Sequence, residues 1–187
     1  MFKNVPYDKL SDEVLMARIT SGNAQAFNTL YTRYSRRMHA FFSRMLGFNS
    51  EKADDFLQEL FMKIIEKPEA FDCSRKFSTW LYTVAGNMCK NEYRRMERHP
   101  QTNQIPEEPG EDSIPDRIDF ALFRTELQEA LARLSPEHRE CFVLRYQEEL
   151  STKEISEIMD CPEGTVRSRL FYALRRLADQ LKIFEIK

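Results

Sequence analysis

Between Phe71 and Arg98 the chain reads FDCSRKFSTWLYTVAGNMCKNEYRRMER, aromatic at its start and basic at its end. Phe71, Phe77, Trp80, Tyr82 and Tyr93 are interleaved there with Arg75, Lys76, Lys90, Arg94, Arg95 and Arg98. Rings offer flat faces on which unpaired bases stack, while Arg and Lys hold the intervening phosphates. The chemistry on offer is therefore a grip on single-stranded nucleic acid. The same composition also suits a core helix with a solvated basic end. Gly86 and Asn87 both tolerate positive φ, so the pair predicts a break between an aromatic helix ending near Val84 and a basic one ending at Arg98. Asn87 then sits on a pocket rim with an amide that both donates and accepts. The alternative is an unbroken helix with Asn87 in water.

A second group lies toward the C-terminus. Ser135-Pro136-Glu137 opens one helix, with Ser at the N-cap and Pro at the first helical position. Cys141, Leu144 and Val143 form its core side. Ser151-Thr152-Lys153-Glu154 is a capping box before a short helix with Ile155, Ile158 and Met159 inward. Residues 160–164 are a turn, and Thr165 is expected to cap a last helix whose inner side is Val166, Leu170, Leu174, Leu177 and Leu181. Two short helices joined by a tight turn, the second rich in Arg, make a helix-turn-helix. Arg167, Ser168, Arg169, Phe171 and Tyr172 lie near the start of the second helix, the end that meets base edges in a major groove.

A third group is acidic. Asp55, Gln58, Glu59 and Met62 recur at i, i+3, i+4 and i+7 and share one helical face. Such a face is a solvated surface or a docking ridge for a basic helix, and the residues alone favour the solvated reading. Enzymatic work is not indicated. There is no Gly-rich phosphate loop and no HExxH, and Asp54 and Asp55, being adjacent on a helix, point in different directions.

These groups need a helical scaffold. Among the 187 residues only 5 are Gly, against a wealth of Leu, Ala, Glu, Arg and Met, which favours helix over sheet. Ser11 starts a first helix with Val14, Leu15 and Ile19 on its apolar side, and Gly22 stops it. A second runs from Ala24 to Leu46, with Phe27, Leu30, Tyr31, Tyr34, Met38, Phe41, Phe42 and Met45 at helical spacing. A third runs from Ser50 to Lys67, with Phe56, Leu57, Leu60, Phe61, Ile64 and Ile65 buried and Phe61 at the margin. Residues 99–118 carry Pro100, Pro106, Pro109 and Pro115 with several carboxylates, which reads as a linker. The expected fold is all-α: two small helical domains joined by a flexible linker, over residues 1–98 and 119–187, the C-terminal one a helix-turn-helix.

Net charge is −2, so nucleic-acid affinity must come from local patches. Cys73, Cys89, Cys141 and Cys161 form no CxxC and are not bracketed by His39, His99 and His138. Neither zinc nor disulfides are expected, and the thiols suit a reducing cytoplasm. No cofactor is expected. No apolar run is long enough to span a bilayer, and no signal peptide is evident.

DDFLQELFMKIIEK and FSTWLYTVAGNMCKNEYRR in the N-terminal half, with LSPEHRECFVLRYQEELSTKEISEIMDCPEGTVRSRLFYALRRL in the C-terminal half, resemble the extracytoplasmic-function (ECF) class of bacterial RNA polymerase sigma factors. The resemblance covers nearly the whole chain. It implies a polymerase specificity subunit, not a catalyst, that reads −35 and −10 promoter elements and aids strand opening. It implies that Asp54, Asp55, Gln58, Glu59, Phe61 and Met62 dock on the β′ clamp helices of core RNA polymerase, reversing the solvated reading. For the −10 element it implies Phe71, Trp80, Asn87, Lys90, Asn91, Arg94, Arg95 and Arg98, with Asn87 in the loop that receives a flipped base. For the −35 element it implies Arg145, Thr165, Arg167, Ser168, Arg169, Phe171 and Tyr172. The implied partners are core polymerase, through its β′ clamp helices and β flap, promoter DNA and an anti-sigma factor, without insertion in a membrane. The chain departs from the family pattern at Gly86, where a larger, often basic residue is common, and at Asn91, where an acidic one is. A DNA-binding regulator using the helix-turn-helix alone is the competing reading, and it leaves the aromatic-basic segment and the acidic face unexplained.

Overall fold

The computed structural model describes residues 6–98 and 115–181, the side chains of residues 115–121 apart. The described residues are helical, without a strand. Eight α-helices follow in order: α1 Asp12–Thr20, α2 Ala24–Met45, α3 Ser50–Glu66, α4 Phe77–Arg98, α5 Pro115–Ala132, α6 Pro136–Tyr146, α7 Thr152–Met159 and α8 Glu163–Gln180. The helix starts follow local chemistry. Ser11, Asn23 and Asn49 each accept a backbone N–H of the first turn of α1, α2 and α3. Gly22 and Gly47, at φ of 80° and 73°, turn the chain after α1 and α2, where a Cβ would be strained.

α1 and α3 pack along α2, and α4 lies against all three. Phe41, Phe42, Phe77 and Tyr82 are fully buried. Each ring of that size removed from water contributes about 1.5–3 kcal/mol. Phe41 meets Tyr82 edge-on at 5.5 Å, and Phe42 meets Phe56 at 5.5 Å. In the C-terminal half α6 and α7 pack on α8, with α5 alongside α8.

The two halves touch. α7 packs on α4, while α5 and α6 pack on α2. Cys141, Val143, Leu144, Ile155 and Ile158 thereby join the same apolar cluster as Phe41, Phe77 and Cys89. Charged residues stitch the seam. The Arg139 guanidinium donates to the carbonyls of Leu131 (2.8 Å) and Leu134 (3.2 Å) and also to that of Met45 (2.9 Å), the last residue of α2. Tyr93 of α4 donates to the same Met45 carbonyl, filling both of its lone pairs. Arg37 pairs with the buried Glu148 at 2.9 Å, and the Tyr82 hydroxyl donates to that carboxylate. Lys76 pairs with Glu154. Glu154 meanwhile closes the expected capping box, accepting from the Ser151 N–H (2.9 Å) and hydroxyl (2.8 Å).

Several sequence expectations change. α4 runs unbroken from Phe77 to Arg98, so Asn87 is not on the rim of an interruption. Gly86 serves a close approach instead: a Cβ there would lie 2.3 Å from Glu140 Oε1. Pro162, not Thr165, is the N-cap of α8, which begins two residues before Thr165. Val14, Tyr31, Ile65 and Leu174 are exposed, while Met16 and Ala173 take inner positions. Leu15, Ile19, Leu30 and Ile64 are buried as expected, so Val14, Tyr31 and Ile65 lie at the margin of their stripes, and only on α8 does the inner position shift by one, from Leu174 to Ala173, as happens where apolar residues are adjacent. α5 begins at Pro115, inside the expected linker, because Pro suits the first helical turn. The rest of that linker, residues 99–114, lies outside the described residues.

Candidate nucleic-acid interface

Trp80, Asn87, Asn91, Arg94 and Arg98 fall at i, i+7, i+11, i+14 and i+18 of α4, one stripe on an unbroken helix. Its amide and basic members are exposed, and Trp80 is half-buried. Phe71 is buried, its ring 5.3 Å from both Phe77 and Trp80, so it props the indole from behind rather than facing solvent. The start of α4 is held in place by α1: the Glu13 carboxylate accepts the Phe77 N–H at 3.0 Å. That contact supplies the cap α4 lacks locally.

The cations of α4 are not equivalent. Arg95 donates twice to Glu92, at 2.7 and 2.9 Å, and Lys52 approaches the same carboxylate at 2.6 Å. The Arg95 hydrogen bonds, with help from Lys52, hold the Glu92 carboxyl down at about 2. Arg95 is thus partly neutralised, whereas Arg94 projects into solvent and Arg98 donates to the Arg94 carbonyl at 3.1 Å. Lys90 is half-buried, its ammonium 3.6 Å from Glu140 of α6. Burial raises the Glu140 carboxyl above its ordinary value.

On α8, Val166 and Leu170 turn inward and Arg167, Ser168, Phe171 and Tyr172 outward, the two rings 60% and 52% exposed. The two rings lie edge-on to each other at 5.5 Å, leaving apolar surface on the outward side of α8. Arg167 pairs with Glu163 one turn earlier, at 3.2 Å. Arg169 is half-buried, with Nη1 3.6 Å from Cys161 Sγ, so it braces the turn. Thr165 is half-buried, and its carbonyl accepts the Ser168 hydroxyl at 2.9 Å. Arg145 is exposed and donates to the Leu150 carbonyl at 3.0 Å, tying α6 to the loop before α7.

On α3, Asp54, Asp55, Gln58, Glu59 and Met62 are all exposed. Asp54 lies 3.3 Å from His39, and Glu59 bonds Lys63 at 2.8 Å. Phe61 is buried, edge-on to Tyr31 at 4.7 Å and to Phe27 at 6.0 Å, so it supports the ridge from beneath. The apolar surface beside the carboxylates comes instead from Tyr31, Met62 and Ile65, two of which the periodicity had assigned to the core.

Sequence reasoning missed Arg139, Glu140 and Glu148. Their partners lie across the chain, and local periodicity carries no signal for a charge whose partner is distant. Among the described residues no group of His, Cys, Asp and Glu could hold a metal ion. No helix there is long and apolar enough to cross a membrane.

Comparison with known proteins places these surfaces in context. The family model of sigma-70 region 2 matches residues 30–99, and that of sigma-70 region 4 matches residues 124–177. The chain is 31% identical over 186 residues to the ECF RNA polymerase sigma-E factor of Haemophilus influenzae, covering 94% of this chain and 97% of the other. It is likewise 31% identical over 189 residues to the ECF RNA polymerase sigma-E factor of Escherichia coli K12, covering 94% and 96%. Among solved structures, its fold is similar to the sigma factor RpoE in complex with the anti-sigma factor NepR from Bartonella quintana, at a TM-score of 0.71, 23% identity and coverage of 87% and 100%. It is also similar to CnrH in complex with the cytosolic domain of CnrY, at 0.68, 24% identity and coverage of 93% and 99%.

Proposed function

The chain belongs to the ECF class of RNA polymerase sigma factors, and from that premise we propose which of its surfaces meet polymerase, DNA and a regulator. It is a transcription initiation factor that joins core RNA polymerase and directs it to promoters. It works as a binding subunit and leaves catalysis to the core.

The −35 duplex is read by α8. Arg167 and Ser168 address base edges, Phe171 and Tyr172 supply apolar contact, and Arg145, Thr165 and Arg169 hold the turn and the flanking phosphates. The −10 strand runs along α4, where Asn87 and Asn91 address unstacked bases beside Trp80, with Phe71 behind it. Lys90, Arg94, Arg95 and Arg98 hold the phosphates. Placing a base there offsets an unpairing cost of roughly a few kcal/mol. The α3 ridge of Asp54, Asp55, Gln58, Glu59 and Met62, backed by Phe61, docks on the β′ clamp helices, and the C-terminal half meets the β flap. A neighbour of similar fold was solved with an anti-sigma factor bound; an anti-sigma factor is the matching regulator here. Residues 1–98 act as the polymerase-docking and −10 domain, 99–118 as a tether and 119–187 as the −35 domain, in the cytoplasm.

The observation that carries this reading is the sidedness of α8: inward Val166 and Leu170, outward Arg167, Ser168, Phe171 and Tyr172. A regulator that used this helix alone would need neither the α4 stripe nor the α3 ridge. Run-off transcription from a promoter library with added core polymerase tests the proposal. Transcripts should start at a fixed distance from one shared pair of elements, and Asp55→Lys combined with Gln58→Ala should abolish them by preventing assembly with core. Normal assembly of that double variant in gel filtration refutes the ridge assignment.

A further inference from the structure

Two carboxylates at the start of α1 reach α2 and the aromatic end of α4. Asp12 is held on α2, where it accepts from the Arg33 guanidinium and the Tyr34 hydroxyl. Arg33 also donates to the carbonyls of Asp8 (3.1 Å) and Leu10 (3.2 Å), so the entry to α1 is strapped down. Glu13, the next residue, turns to α4 and accepts the Phe77 N–H at 3.0 Å. Adjacent helix residues point in different directions, which lets one short helix brace two long ones. Phe77 is gripped by its ring as well as its backbone, because the Tyr34 ring meets it edge-on at 5.4 Å. Its ring in turn lies 5.8 Å from Trp80 and 5.3 Å from Phe71. Those contacts set where the half-buried indole stands. The Lys76 side chain, just before Phe77, carries no acceptor, so without Glu13 the first turn of α4 is left uncapped and free to fray.

We infer that Glu13 is a positioning residue for strand opening: it fixes the register of the first turn of α4 and, through the rings of Phe77 and Phe71, holds the Trp80 indole where the unstacked −10 base arrives. The acceptor matters rather than the charge, because the group it holds is a neutral N–H. A cap that served stability alone would lower the thermal midpoint and leave Trp80 in place in every chain that stays folded. A positioning contact changes the fraction of folded chains whose indole is in place, and capture of the strand follows that fraction. α1 thereby belongs to the promoter-opening apparatus although it meets no DNA. The inference rests on the reading of α4 as the −10 surface.

Trp80 is the only tryptophan of the chain, so emission of the full-length protein reports that indole. Glu13→Ala should shift the emission to the red at a temperature where circular dichroism shows the helix content intact. Glu13→Gln, which keeps the acceptor, should restore it. In holoenzyme, Glu13→Ala should slow permanganate-detected opening of a TA-rich −10 element roughly two- to tenfold, with closed-complex affinity within about twofold of wild type. Glu13→Gln should open at the wild-type rate. Where Glu13→Ala fails to fold, Glu13→Asp, whose acceptor is retracted by one methylene, takes its place with the same expectations. Unchanged emission, or a Glu13→Gln protein as impaired as Glu13→Ala, overturns the inference, as does opening that slows only in proportion to closed-complex binding. Asn87→Ala and Arg94→Ala in the same assay separate this failure from that of the underlying reading. If they slow opening while Glu13→Ala does not, only the role of Glu13 falls; if all three open normally, α4 is not the −10 surface.

Discussion

Arg167→Ala isolates base reading from folding more cleanly than any other substitution in the chain. The Arg167 side chain is 70% exposed and pairs with Glu163, itself 42% exposed, at 3.2 Å. An i,i+4 pair in such solvent contributes about 0.3–0.5 kcal/mol, and its loss leaves the helix-turn-helix intact. No buried group loses a partner, because Val166 and Leu170 make the inner contacts of that turn. If the guanidinium makes two hydrogen bonds to a guanine edge, its removal costs about 1–3 kcal/mol, or roughly 5- to 150-fold in affinity. The assay is a filter-binding or fluorescence titration of holoenzyme on two duplexes, identical except that one carries a scrambled −35 element. The loss should appear on the intact promoter and nearly vanish on the scrambled one. The salt slope should stay put, since no phosphate contact is removed. An equal loss on both duplexes, with a slope shallower by about one ion, refutes base reading and makes Arg167 a phosphate contact. A fall in thermal midpoint of more than about two degrees, the most that a 0.5 kcal/mol loss produces in a chain of this size, refutes the claim that the fold is untouched.

Asn87→Ala should slow promoter opening more than closed-complex binding, so permanganate reactivity of the −10 thymines should lag behind the gel shift; coincident time courses would remove Asn87 from strand capture. Arg139→Ala should cost roughly 2–4 kcal/mol in urea unfolding, because it strips a charged donor from buried carbonyls at the ends of α2 and α5; a cost under about 1 kcal/mol would show that water replaces it. Carboxyl NMR titration should put Glu92 and Glu154 near 2, held down by Arg95 and by Lys76 respectively. Both are depressed groups, so their stabilisation is whole above the ordinary 4.5 and is lost as pH falls toward about 2. Glu140 should instead titrate above 4.5, because burial raises it and outweighs Lys90. Its effect has the opposite sign: the packing of α6 against α4 strengthens as pH falls through its midpoint. Ordinary midpoints for both Glu140 and Glu154 would mean that the seam is open in solution.

Helix identity was legible because starts and stops are local events. Ser11, Asn23, Asn49 and the Ser151–Glu154 box act within three residues of where they stand. Spacing also showed that Asp55, Gln58, Glu59 and Met62 share one face, which is exposed, but it favoured a solvated role for that face; the docking role came only from the resemblance. Gly86 misled, because a glycine that admits a neighbouring helix and one that permits a turn look alike in sequence. Phe61 is buried, as its place at the margin of the inner stripe allowed, whereas Phe71 read as a ring free for a base and is walled in by Phe77 and Trp80, a ring-on-ring packing that leaves no mark in a single segment's periodicity. The seam between the halves was invisible for the same reason. Glu140 and Glu148 carry no local hint that each will meet a residue more than forty positions away.

Glu154 is built like a latch with its own keeper. It answers to Lys76 across the seam, yet Ser151 holds the same carboxylate from within its own helix. Withdrawal of the lysine therefore strands no orphan charge and frays no helix end.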